Sequence, residues 1–477
     1  MKKYHIVSML LMVSTSVFCQ KQETKIDILS YMLSLEIPFE HQGWERHLNT
    51  LTGRAMITLR NIGDAPVSEV PLLLHRLSTV EGIRSKTEGQ LDFDQKIGSI
   101  EGWETYQVNS VMAHLNQPLP PNGDETIIIS YQTGLSGYEE SGMYYVKESL
   151  DPEFTIIRPE SMSYPQIAYP NDASLSSFWR QEKFALTMEI TLPKAYKVGI
   201  GHKLLEQKDT DEGVLWRYES DGPVGEIIAP ISKYDVSTYE GITIYSFPQD
   251  SLGAKNVMEQ IEKVHELFED WFGMPASAKA ITLTEIPIDY GSQAVLPTII
   301  QTADAFNDPK SIGQLYHEIS HIWNAPDKDM PSSCRWNEGL AMFLQYLAYD
   351  EINGVSLLDD QLEKRFQRLK RYFKKYPDRK VPIVEYGEKG WTGLSYTSAC
   401  LVFGLLYKEL GKQKFVDLYR GFYQTYASSG ASTSDFTAFC ISKHARVKNI
   451  LQDWFYSDRY ANIINEHTSF ASLVERY

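Results

Sequence analysis

The hydrophobic period of this chain changes once, and that change limits the folds open to it. Up to about residue 245 the apolar residues recur every second position in short runs such as "RAMITLRN", "ETIIISYQ" and "FALTMEITL". In the last of these, Phe184, Leu186, Met188, Ile190 and Leu192 share one face, as in a half-buried strand, and turn stretches such as "LPPNGDE" separate the runs. From Ser251 the period becomes helical. Val257, Ile261, Val264, Phe268 and Trp271 form one stripe that Gly273 and Pro275 close. The chain has 477 residues, 43% of them hydrophobic, enough for two or three domains with their own cores. The expectation is an α+β multidomain protein, β-rich over residues 20–245 and mostly helical over residues 246–477. A further strand is expected across "GSQAVLPTIIQT", from Gly291 to Thr302.

Residues 1–19 stand apart. "MKKYHIVSMLLMVSTSVFC" has two lysines, an apolar run from Ile6 to Val13 and small or polar residues before Cys19, the anatomy of an export signal. An exported, periplasmic or secreted protein is expected. A lipid anchor on Cys19 is the less favoured reading, because Phe18 is bulkier than a lipidation site usually allows. No later apolar run is long enough to span a bilayer. The formal charge of -16 argues against nucleic acid or an anionic membrane as a partner. Cys334, Cys400 and Cys440 form no Cys-x-x-Cys pair, so they offer at most one disulfide and no thiolate metal site.

The densest chemistry lies in "QLYHEISHIWNAPDKDMPSSCRWNEGL", residues 314–340. Asp308 with Pro309 is a helix start, and Pro326 ends the helix after Asn324. Ile312, Leu315, Ile319 and Ile322 make its apolar stripe, leaving His317 and His321 on the other side. At four-residue spacing the two side chains start about 5–6 Å apart, which lets both imidazoles reach one ion. Glu318 lies about 100° round the helix from His317, where it touches a water on that ion rather than the ion itself.

A catalytic zinc site needs a third protein ligand and one open position. Asp327 would serve if Asn324 took the left-handed conformation that glycine supplies in the metzincin pattern. Glu338 would serve if "WNEGLAMFLQYLAYD" is a second helix, with Leu340, Phe343, Leu344 and Leu347 as its core stripe, folded back on the first.

"HEISHIW" followed by "WNEGLA" resembles the zinc signature of the aminopeptidase N and leukotriene A4 hydrolase family of gluzincins. The resemblance implies a saddle-like, antiparallel N-terminal β-domain, a thermolysin-like, mostly helical catalytic domain, and one zinc per chain held by His317, His321 and Glu338. "LSYTSACLVFGLL" resembles the helix that carries the family's catalytic tyrosine, here Tyr396, and "PQIAYP" resembles the end of the β-domain's active-site loop. "DYGSQAV" occupies the place of the family's Gly-x-Met-Glu-Asn motif, giving Gly291, Ser292, Gln293 and Ala294 as substrate-binding candidates. Too little chain follows Glu338 for the large helical C-terminal domain of the longer members.

One departure bears on substrate choice. Where the family places the glutamate that holds a peptide's free α-amine, this chain has Gln293, and Ala294 replaces the asparagine. A neutral amide gives up the charge-assisted bond that favours a cationic amine. The family's second amine contact falls near Ile156, with Glu153 or Glu160 as substitutes. The implied activity is zinc-dependent hydrolysis of short peptides. In it Glu318 acts as base to a zinc-activated water, Tyr396 donates to the oxyanion, and free-amine recognition is weakened. The alternatives are a catalytically silent binding module on the same fold and a non-peptide, epoxide hydrolase-like zinc hydrolase.

Overall fold

The computed structural model describes residues 24–101, 103–135, 147, 149–171, 183–276, 280–329, 336–387 and 391–477. The expected export signal, Cys19 and Cys334 lie outside the described residues. Cys400 and Cys440 are buried and unpaired.

The alternating runs of the first half assemble into an eleven-stranded sheet. Its register follows the apolar pattern. In the strand Ile26–Glu36, Tyr31 and Leu33 lie opposite Leu186 and Met188 on one side and Ile57 and Ala55 on the other. Ile57 and Ala55 in turn lie opposite Ile127 and Ile129. All eight are buried and belong to one core, so a slip of one residue would turn each row out to solvent. The sheet is antiparallel except where Ile26–Glu36 pairs parallel to Ala185–Leu192, a pairing that a long intervening chain permits.

A smaller sheet places the β-half's contribution to the cleft. Thr155–Ile157 runs antiparallel to Ala229–Ser232, with Ile157 opposite Ala229. The residues just after the first strand, from Arg158, are thereby set beside those just before the second, including Glu226. A five-stranded sheet follows, in the order Asp235–Tyr239, Ile242–Ser246, Ile281–Ile286, Thr298–Thr302, Gln293–Val295. It straddles residue 246, where the division between halves was expected. The single strand expected from Gly291 to Thr302 is instead a hairpin. Proline has no N–H for a ladder, and the chain turns at Leu296 and Pro297 to run Gln293–Val295 back along Thr298–Thr302 at the sheet's edge.

Glu285, on the buried strand Ile281–Ile286, is fully enclosed and accepts from the Phe247 N–H at 2.7 Å. Burial pushes its carboxyl up to about 9, with Asp250 adding and the Phe247 bond opposing. A folded-state pKa above the unfolded value means that its contribution to stability is complete below about pH 4.5 and is lost as pH rises towards 9. Glu285→Gln removes that titration. The melting temperature of the variant relative to the parent should therefore climb by several degrees between pH 5 and pH 9, read by thermal shift; a pH-independent difference would contradict the assignment.

The helical half opens with Ser251–Phe272, whose predicted stripe is buried and whose end is Gly273 at φ +88°. Among the described residues no helix is long and apolar enough to cross a membrane.

Candidate metal centre and cleft

The helix expected to start at Asp308 is built in three pieces. Asp308 accepts from the Lys310 N–H and opens a 3-10 turn, Pro309–Ile312. The α-helix Gly313–Ser320 follows, and a second 3-10 turn, His321–Trp323, tightens its end. Asn324 is extended at φ -77°, ψ 138°. The left-handed Asn324 that an Asp327 ligand would need is not formed. Asp327 Oδ1 instead accepts from the Asp329 N–H at 2.9 Å, and Asp329 binds the Thr433 N–H at the start of the helix Thr433–Lys443.

Ile312, Leu315, Ile319 and Ile322 are buried in the core, which fixes the opposite side of the helix towards the cleft. The helix Asn337–Asn353 packs against it through a buried stripe of Leu340, Phe343, Leu344 and Leu347. Glu338 is in that helix's first turn. Gly339, next to it, lets the helix Ser395–Leu410 approach closely, since a Cβ there would stand 2.3 Å from Ala399 Cβ. One glycine thus sets the distance between the segments that carry Glu338 and Tyr396.

These helices bring His317, His321 and Glu338 together, with one potential ligand atom from each, all within 4.8 Å of one another. Glu338 Oε2 is 3.1 Å from His317 Nε2 and 3.6 Å from His321 Nε2. A tetrahedral ion with bonds of about 2.0–2.1 Å sets its ligand atoms about 3.3–3.4 Å apart, so the spacing fits one zinc. Burial alone would raise the Glu338 carboxyl, but the charges and hydrogen bonds of His321 and His317 outweigh it and hold the group well below the usual carboxylate range. Burial pulls His321 down, and the neighbouring Glu338 and Glu318 more than restore it. Two imidazoles held around an ionised carboxylate offer the donor set that a divalent cation takes.

The surroundings orient these groups. Asn324 Nδ2 lies 2.6 Å from His321 Nδ1 while Asn324 Oδ1 is buried without a partner. Exchanging the two ends of the amide, which are alike in shape, gives His321 Nδ1–H an acceptor and leaves Nε2 to face the ion. Glu318 is buried and accepts from Gln314 Nε2 at 2.7 Å. Burial raises its pKa, against the opposing pull of His317 and His321. The Tyr396 ring stacks on His317 at 6.1 Å between centroids and 14° between planes, and Arg365 Nη1 holds the Tyr396 carbonyl at 2.9 Å.

These residues and the edge strand enclose one cleft of about 480 Å³. Glu318, Tyr396, Gly291, Ser292, Gln293 and Ala294 all line it, as do the three potential ligands. The expected substitutes for the amine anchor do not. Glu153 is exposed on the surface, Ile156 is in a hydrophobic core, and Glu160 is engaged by Arg158 through two bonds of 2.9 and 3.0 Å. Sequence reasoning missed Gln314, which steadies Glu318, and Glu226, which lines the cleft from the β-half. A glutamine four residues before Glu318 on one helix was a readable signal for the first. Nothing local marks the second, because only the strand pairing described above brings residue 226 beside Arg158.

No family model matches the chain. In sequence it is similar to glutamyl aminopeptidase of Bos taurus, 24% identical over 388 residues that cover 72% of this chain and 39% of that protein. It is likewise similar to aminopeptidase M1-A of Oryza sativa subsp. japonica, 21% identical over 408 residues, 80% of this chain and 45% of that protein. The chain thus spans less than half the length of these curated relatives. Among solved structures, yeast LTA4 hydrolase superposes with a TM-score of 0.66 at 16% identity, covering 91% of this chain and 68% of that one. An M1 zinc metallopeptidase from Deinococcus radiodurans superposes with a TM-score of 0.61 at 14% identity, covering 93% and 96%. The β-rich half followed by the helical half is therefore the arrangement of the M1 zinc metallopeptidase fold, which this chain shares, and its curated sequence relatives are aminopeptidases.

Proposed function

We propose that this chain is an exported zinc-dependent peptidase of aminopeptidase type, binding one zinc and hydrolysing short peptides. The observation that carries the reading is the convergence of His317, His321 and Glu338 at metal-ligand spacing in a cleft that Glu318 and Tyr396 also face. Relatives named as aminopeptidases support it.

Zinc, when bound by these three residues, supplies a Lewis acid that acidifies water and polarises a carbonyl. Glu318 takes the proton of the attacking water and passes it to the leaving amine, a role for which its buried position suits it. Tyr396 donates a hydrogen bond to the carbonyl oxygen as charge develops there. Among the described residues the strand Gln293–Val295 is at the sheet's edge, where an extended peptide would pair in the same cleft as the potential metal ligands and Tyr396. Tyr396→Phe should lower kcat by roughly 10²–10³-fold with little change in KM, the signature of a bond made only in the transition state. An equal rise in KM with kcat preserved would assign Tyr396 to binding instead.

Recognition of a free amine through residue 293 is weakened. Arg158 Nη2 donates to Gln293 Oε1 at 3.2 Å, so the amide oxygen that could accept from an ammonium is already engaged. Cleavage of unblocked peptides that chelator abolishes and zinc restores tests the proposed activity as a whole.

A further inference from the structure

The β-half places one more ionisable group in the cleft. Glu226 lies in the segment that leads into Ala229–Ser232, lines the same cavity as His317, Glu318 and Gln293, and has Oε2 buried without a hydrogen-bond partner. Arg158 pulls on Glu226 electrostatically, but its hydrogen bonds from Nε and Nη2 go elsewhere, two to Glu160 and one to Gln293. A carboxylate enclosed beside a compensated ion pair is costly until a cationic ligand arrives.

We infer that Glu226 is the ammonium anchor of this cleft, receiving the α-ammonium of a peptide N-terminus from a strand loop remote in sequence from the position where Gln293 stands. The inference rests on the peptide-binding reading of the cleft and names the group that would select its substrates. The supply of charge agrees with it. Burial, and then the neighbouring Glu160, push the Glu226 carboxyl up against the pull of Arg158, and a cationic ligand beside it would favour its ionised form. Gln293 cannot replace Glu226, since its oxygen is held by Arg158. Glu160 cannot either, since both of its oxygens are occupied. A primary ammonium reaches a peptidase cleft from two sources, the N-terminus or a lysine side chain. The α-ammonium is the one favoured here, because Glu226 and the edge strand Gln293–Val295 line one cavity and a peptide paired along that strand leads its own backbone to the carboxylate.

The test is binding to the zinc-loaded, full-length Glu318→Gln protein, so that no turnover intervenes, followed by calorimetry with Ala-Ala-Ala, N-acetyl-Ala-Ala-Ala and N-acetyl-Lys-Ala-Ala. The free peptide should bind at least about tenfold tighter than its acetylated form, the scale of a hydrogen bond to a charged group. Adding Glu226→Gln should remove about 10–100-fold of affinity for Ala-Ala-Ala and leave N-acetyl-Ala-Ala-Ala unchanged, while Glu226→Asp keeps part of the preference. An unchanged preference in Glu226→Gln overturns the assignment, as does an equal loss for both peptides. So does an N-acetyl-Lys peptide that matches Ala-Ala-Ala and depends on Glu226, since the carboxylate then serves a side chain. A parent protein that shows the Glu226-dependent preference yet cleaves no peptide would end the peptidase reading and keep the anchor. Cleavage without that preference would do the reverse.

Discussion

Glu338→Ala should lower zinc affinity by well over the 10–100-fold that loss of even an outer-sphere partner costs, while Asp327→Ala should leave it close to the parent value. Both acids follow the histidines in the chain, and the fold decides between them. Glu338 Oε2 stands 3.1 and 3.6 Å from the two imidazole nitrogens, whereas Asp327 Oδ1 accepts the backbone N–H of Asp329. Truncating Glu338 leaves two imidazoles and no negative charge, a poor site for a divalent ion. Competition against a chromophoric chelator measures both variants in one experiment. Normal affinity in Glu338→Ala together with loss in Asp327→Ala would transfer the third ligand to Asp327.

Glu318→Gln should reduce peptide hydrolysis by about 10²–10⁴-fold, the contribution of a positioned base, and keep one zinc per chain and an unchanged melting temperature. The substitution is isosteric, and the hydrogen bond from Gln314 Nε2 to Oε1 survives because the glutamine retains an oxygen there. What is lost is the ability to accept a proton. Metal content by mass spectrometry and a thermal melt, taken beside the rate, separate a lost base from a lost site. Turnover within a few-fold of the parent would remove Glu318 from the chemistry.

Local pattern made the grouping of His317, His321 and Glu338 legible, and long-range pairing hid the rest of the cleft. The four-residue spacing of His317 and His321, the apolar stripe behind them and the second amphipathic run starting at Glu338 all express helix geometry, and helices are encoded locally. The strand faces were legible for the same reason, down to the rows containing Met188 and Ile57. Two features were not. The hairpin at Leu296 and Pro297 was read as one strand because its apolar residues continue through the turn, although the proline gave a signal against that reading. Glu226 was invisible because its place depends on Thr155–Ile157 meeting Ala229–Ser232 across some 70 residues of chain, a pairing with no local signature. The acids judged nearest in sequence to the missing anchor, Glu153 and Glu160, are respectively exposed and held by Arg158.

In the proposed site His317, His321 and Glu338 hold a metal with which Glu318 cleaves peptides. The most direct measurement is hydrolysis of a defined mixture of unblocked peptides, followed by mass spectrometry, by the parent protein as purified, after chelation, and after return of one equivalent of zinc. Cleavage should disappear on chelation, return with the added zinc, and fall by about 10²–10⁴-fold in Glu318→Gln carrying the same zinc. Cleavage that persists through chelation, or that Glu318→Gln performs at the parent's rate, would contradict this assignment.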